Sequence, residues 1–125
     1  MDATPVVAHP SAMAKTITRH ELRRAIDSGA VTVVETLREE HFAQGHLPSA
    51  IHIHFEQIAE RAPELLPDKD APIVTYCSNT ACRNSEIAAN QLLKMGYANV
   101  RKYAEGKQDW QEAGLELVTG AEVVA

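Results

Sequence analysis

Aromatic residues are scarce in this chain, 5% of its 125 residues, the one departure from an otherwise ordinary globular composition. Cysteine is scarcer still. Only Cys77 and Cys82 occur, both in one short segment, so no disulfide framework can span the chain. That usage suits a reducing compartment where thiols do chemistry, and the cytoplasm is the expected location. Cationic excess is missing too: the formal charge is −5 and no basic run is present, which argues against a nucleic-acid partner. No apolar run approaches membrane-spanning length, and the first thirty residues hold no signal-type apolar region, so no membrane partner is expected. Internal repeats and low-complexity tracts are likewise absent.

What is present is enough chain for one domain with its own core. Its focus is the stretch Ile73 to Gly96. Ile73-Val74-Thr75-Tyr76, introduced by Pro72, reads as a buried strand. Cys77 follows, then the small polar run Ser78, Asn79, Thr80, Ala81 and Cys82, and a helical pattern starts at about Arg83. Ala88, Leu92 and Met95 share one helical face, and Gly96 is placed to close the helix. A cysteine thus sits between a strand end and a helix start, where unpaired N–H groups and the helix dipole favour a thiolate. The same N–H groups can hold an oxyanion or a terminal sulfur, and Arg83 adds a guanidinium. The alternative for Cys77 is a buried, inert thiol.

Around this stretch the pattern alternates. Residues 1–14 show no period and are expected to form a mobile N-terminal extension, with the folded domain over 15–119 and a loose tail over 120–125. Thr18 and Glu21 fit a capping box, with Ile17 and Leu22 as its hydrophobic staple, opening a helix over 19–28 that Gly29 stops. The remaining expectations are a strand over 31–37, a short helix over 39–44, a strand over 50–54 and a helix over 55–61 that continues brokenly past Pro63. After the central strand and helix come a strand over 99–103, a helix over 105–113 and an extended segment over 115–118. Strands alternating with helices at this spacing predict an α/β fold: a mainly parallel central sheet of about five strands with helices on both faces. In such sheets ligands sit beyond the strand C-termini, where Cys77 falls.

The order of these segments resembles a single-domain rhodanese, a family of thiosulfate- and mercaptopyruvate-type sulfurtransferases, over residues 17–118. The resemblance is carried by Val33 to Glu39, by Phe42-Ala43-Gln44-Gly45-His46-Leu47-Pro48-Ser49-Ala50, by Tyr76-Cys77, by Gly96-Tyr97 with Asn99-Val100, and by Glu105-Gly106 with Trp110 and Ala113-Gly114-Leu115. Glu35 stands where the family usually has aspartate, and Ser49 and Glu105 where it usually has glycine. Arg83 follows Cys77 as C-x5-R, in a loop longer than the usual C-x4-R.

The resemblance implies sulfur transfer. Cys77 would take a sulfane sulfur from a small donor such as thiosulfate as a persulfide, with the amides of Ser78, Asn79, Thr80, Ala81, Cys82 and Arg83 forming the substrate-binding loop. A thiol, cyanide or a protein acceptor would remove it, and no cofactor is needed because the cysteine carries the chemistry. A depressed thiol pKa would make a general base unnecessary. Two rival readings stand beside it. The C-x5-R spacing is that of cysteine phosphatases and arsenate reductases, with Arg83 gripping an oxyanion. A redox-sensing or non-catalytic module would use Cys82 as a resolving thiol for Cys77. His52 and His54 could pair on one strand face, but two ligands rarely make a metal site and none is expected. His46 reads as a turn organiser, Trp110 as packing, Glu35 and Arg38 as structural, and Arg19, Arg23 and Arg24 as a solvated helix face.

Overall fold

A computed structural model describes residues 14–120. The expected extension over 1–13 and the tail over 121–125 lie outside the described residues. Five parallel strands form one sheet: β1 (Lys15–Thr16), β2 (Thr32–Glu35), β3 (Ile51–His52), β4 (Ile73–Tyr76) and β5 (Val100–Tyr103), in the order β1-β5-β4-β2-β3. The helices are α1 (Arg19–Asp27), α2 (Glu39–Gln44), α3 (Ile58–Leu65), α4 (Asn84–Lys94) and α5 (Gly106–Glu112), with a single 3₁₀ turn at Phe55–Gln57 leading into α3. The α/β fold with helices on both sheet faces is as the sequence predicts.

Both faces of the sheet are covered, as an all-parallel sheet requires. On one face α3 and α4 bury Ile58, Ala62, Ala88, Ala89 and Leu92 against Val34, Ile73 and Val100. On the other, α1, α2 and α5 bury Leu22, Phe42 and Trp110 against Val33, Val74, Tyr76 and Tyr103. The capping box at Thr18 and Glu21 is formed, and Ile17 and Leu22 are buried together as the staple requires. Strand β4 lies third of five, so its C-terminal end is the middle of the sheet's C-terminal edge.

Strand β4 has its expected bounds, but β2 and β3 are shorter than the expected 31–37 and 50–54, because the residues beyond 35 and 52 leave the ladder to turn into α2 and the 3₁₀ turn. The fifth strand is also a different segment. Only Val118 of residues 115–118 pairs, in an isolated antiparallel bridge to His46, whereas Lys15–Thr16 adds parallel to Arg101–Lys102 at the sheet edge. Residue 14, expected in the mobile extension, is anchored by its N–H to Asn90 Oδ1 at 2.9 Å. Pro63 does not break α3. The helix runs through it because Ala62 and Leu66 need to reach the core, and Tyr97 Oη donates to their carbonyls at 3.2 and 2.6 Å, closing the helix end.

Candidate active site

Cys77 is the first residue past β4 and is buried, with only 1% of its surface accessible. Its thiol donates to the Cys82 carbonyl at 3.3 Å and lies 3.5 Å from Ser85 Oγ in the first turn of α4. Ser85 is buried in turn, and its carbonyl accepts the hydroxyl of Thr75 at 2.8 Å. The sulfur therefore faces the start of α4, as the strand–loop–helix pattern suggests. Its protonation is another matter. Burial, and after it the Cys82 thiol, pushes the Cys77 pKa up to about 11, against the opposing pull of the Ser85 hydroxyl and backbone N–H. This corrects the expected depressed value. A helix start does favour the thiolate, but here the sulfur is so far out of water that desolvation wins.

The loop is folded on itself. Asn79 accepts the Cys82 N–H through its carbonyl at 3.1 Å and the Ala81 N–H through Oδ1 at 3.0 Å, so two of the expected cradle amides are already engaged. Ser78 and Asn79 are half-buried, Thr80 and Ala81 exposed, and Cys82 intermediate. Arg83 is the N-cap of α4, and its largely exposed guanidinium pairs with Glu86 at 3.3 Å. Lys102 reaches the same carboxylate at 3.6 Å. A hollow of about 230 Å³ beside the loop is lined by Asn79 and Thr80 on one side and Glu105, Gln108, Asp109 and Glu112 on the other.

Helix α5 holds the cysteine from the far side. The Lys107 N–H donates to the Cys77 carbonyl and the Gln108 N–H to the Ser78 carbonyl, both at 2.9 Å. This approach is only open to glycine at 106: φ is +67°, and a Cβ there would lie 2.5 Å from the Cys77 carbonyl oxygen. Beneath sits a buried polar cluster. Tyr76 Oη donates to Glu35 Oε1 at 2.7 Å and accepts the Leu47 N–H at 3.0 Å. Lys107 Nζ forms an ion pair with Glu35 Oε2 at 2.9 Å and donates to the His41 carbonyl at 2.8 Å. Burial raises the Glu35 pKa despite the opposing Tyr76 and Lys107, and raises that of Tyr76 well above its ordinary value.

Other sequence candidates fall elsewhere. His52 Nε2 bonds the Leu37 carbonyl at 2.6 Å, while His54 Nδ1 accepts the Glu56 N–H at 3.4 Å, so each ring serves its own turn. His46 Nδ1 donates to the Phe42 carbonyl at 2.9 Å and its ring stacks on Phe42, consistent with a turn organiser. Trp110 is buried, its Nε1 donating to the Glu116 carbonyl. Arg19 remains partly exposed, as a helix-face charge would, but is also paired: its Nη1 donates to both carboxylate oxygens of Asp109 at 2.8 and 2.9 Å, because α1 and α5 share a sheet face. Sequence reasoning missed Ser85 and Lys107. Neither carries a motif signal, though Gly106 beside Lys107 marked the close approach.

With this geometry in place, comparison with known proteins is informative. Residues 18–113 match the rhodanese-like domain, and the chain belongs to that family. It is 36% identical over 107 residues to the HTH-type transcriptional regulator Rv0324 of Mycobacterium tuberculosis, covering 86% of this chain and 46% of the regulator. It is 30% identical over 96 residues to a sulfurtransferase of Allochromatium vinosum, covering 77% of this chain and 86% of that protein. Among solved structures, the BH2092 protein of Bacillus halodurans superposes with a TM-score of 0.78 at 25% identity, covering 90% of this chain and 85% of the other. The chain thus spans less than half of one relative and most of another, and relatives of this family include proteins named as sulfurtransferases. Among the described residues no helix is long and apolar enough to cross a membrane.

Proposed function

We propose that this domain is a sulfurtransferase that carries a sulfane sulfur as a persulfide on Cys77. The observation that supports it most is the placement of that thiol at the centre of the sheet's C-terminal edge, against the first turn of α4 and held through its own carbonyl by α5. The Cys77 thiol first loses its proton to solvent, and the loop gives up the S–H···O contact to Cys82. The thiolate attacks the outer sulfur of a donor such as thiosulfate, the donor S–S bond breaks, and sulfite leaves with the bonding pair. An acceptor thiolate or cyanide then attacks the outer sulfur of the persulfide, and Cys77 departs as thiolate. Loop amides not engaged by Asn79, together with the Ser85 N–H and hydroxyl, would steady the terminal sulfur.

Phosphatase or arsenate-reductase chemistry would need the Arg83 guanidinium turned over the sulfur. Its pairing with Glu86 and its exposure favour sulfur transfer instead. A further role for Cys82 has an observation of its own, since its carbonyl touches the Cys77 sulfur. The Cys82 thiolate would attack the inner sulfur of the persulfide, hydrosulfide would leave, and a Cys77–Cys82 disulfide would form, to be reset by an external thiol.

Intact-protein mass after thiosulfate, then after cyanide, tests the main reading. The wild type should gain the mass of one sulfur and lose it to cyanide, and Cys77→Ser should gain nothing. A wild type that takes up no sulfur from thiosulfate or from a low-molecular-weight persulfide overturns the proposal. If Cys82 resolves the persulfide, loaded wild type should lose hydrogen sulfide and end two hydrogens lighter than the unloaded protein, while Cys82→Ser keeps its persulfide.

A further inference from the structure

Glu35 ends β2 with a fully buried carboxylate, directly opposite Tyr76 in the β2–β4 register. One oxygen receives the Tyr76 hydroxyl at 2.7 Å, and Tyr76 is the residue before Cys77. The other lies 2.9 Å from the ammonium of Lys107, whose own backbone N–H donates to the Cys77 carbonyl. The Tyr76 carbonyl is fixed as well, by the Thr36 N–H at 3.1 Å and the Thr36 hydroxyl at 2.9 Å. The end of β2 thus anchors the Cys77 peptide through Tyr76 and through Lys107, which are held besides by the Leu47 N–H and the His41 carbonyl respectively.

The chemistry is costly for mere packing. A buried carboxylate and a nearly buried ammonium lose their hydration, and an apolar pair of similar volume often serves stability better. The buried imidazole of His46 is near enough to act on the same carboxylate electrostatically. The sheet separates the cluster from the sulfur, because Tyr76 and Cys77 point to opposite faces. Its influence on the thiol must pass through the backbone.

We propose that Glu35 is a positioning residue for Cys77, its two carboxylate oxygens tethering Tyr76 and Lys107, which hold the Cys77 peptide from its two sides. The proposal rests on Cys77 being the reactive thiol of the sulfurtransferase reading. Lys107 transmits the tether through one residue: its side chain is fixed by Glu35 and its amide fixes Cys77.

The test uses the full chain with Glu35→Gln, Lys107→Met, Lys107→Arg and the paired Glu35→Gln/Lys107→Met variant, which leaves no uncompensated buried charge if the single changes fold poorly. Two readouts are needed. One is the pH profile of iodoacetamide alkylation, followed on the Cys77 peptide by mass spectrometry, which needs no sulfur transfer. The other is single-turnover sulfur loading from thiosulfate. Loosening the peptide should let water reach the sulfur, so alkylation of Cys77 near neutral pH should speed up while sulfur loading slows by roughly tenfold to a hundredfold. Lys107→Arg should restore much of both. Alkylation profiles matching wild type in folded Glu35→Gln or paired variants overturn the proposal and leave the cluster a purely structural feature. If wild type loads no sulfur but the alkylation profiles shift as expected, the positioning role stands and the sulfurtransferase reading fails.

Discussion

The two faces of the sheet at Cys77 are chemically unlike. On the α4 face the sulfur meets a carbonyl and a serine hydroxyl, both neutral, and the serine's own carbonyl is held by the buried Thr75. On the α5 face, under the same peptide, lie a buried carboxylate, an ammonium and a phenol. The reactive group is on the neutral side, and the charges that hold its backbone are on the other. A charge beside the sulfur would set its protonation directly. Charges across the sheet can fix its position while leaving burial to set its protonation.

The comparison is broken most severely by closing the gap through which α5 reaches the loop. Gly106→Ala puts a methyl 2.5 Å from the Cys77 carbonyl oxygen at a φ of +67°. Left-handed strain and overpacking together should destabilise the protein by about 3 kcal/mol or more, read as a fall in the urea midpoint, with loss of sulfur loading. Gly114→Ala is the matching control. Its φ is +83° but nothing lies within 4 Å of the added carbon, so only about 1–2 kcal/mol of backbone strain is expected. Equal losses at the two positions would mean that the α5 contact with Cys77 has no special weight.

Next in size is the titration of the neutral face. Because burial favours the neutral thiol, Cys77 helps the fold fully below its ordinary value of 9.0, and that help is lost as the pH rises through about 11. Iodoacetamide alkylation of Cys77 in the free protein should accordingly keep climbing to about pH 11, with no plateau near neutrality. Ser85→Ala removes a hydroxyl that favours the thiolate, so the profile should move higher still and the rate at pH 9 should fall severalfold. A plateau below pH 8 in wild type would place a cation near the sulfur and erase the contrast between the faces.

How much of this was legible in the sequence follows from which interactions are local. The β4–Cys77–α4 unit could be read because a β-rich run, a small polar segment and a helical period adjoin one another. The two-residue β1 has no period at all, and its pairing with Arg101 and Lys102 comes from tertiary structure. The protonation of Cys77 was misjudged because the helix start is visible in sequence and the loop that covers the sulfur is not. Lys107 and Arg19 look like surface cations in a linear chain. Only the shared sheet face brings Arg19 to Asp109, and only the approach of α5 to β2 brings Lys107 to Glu35.

The smallest expected effect lies away from both faces and serves as their control. Ser49 is the one non-glycine residue with a left-handed backbone among the described residues, at a φ of +64°, in the turn before β3. The family usually has glycine at this point, and the serine side chain is exposed, so its removal costs little packing. Ser49→Gly relieves steric strain worth about 1–2 kcal/mol but adds freedom to the unfolded chain worth about 0.5–1 kcal/mol in the opposite direction. A net gain of about 0.5–1 kcal/mol in the denaturant midpoint is expected, with the Cys77 alkylation profile unmoved. Should the profile move with so remote a gain in stability, thiol reactivity would be reporting global opening of the fold. The shifts expected from Glu35 and Lys107 variants would then have to be corrected for it before being read as loss of position.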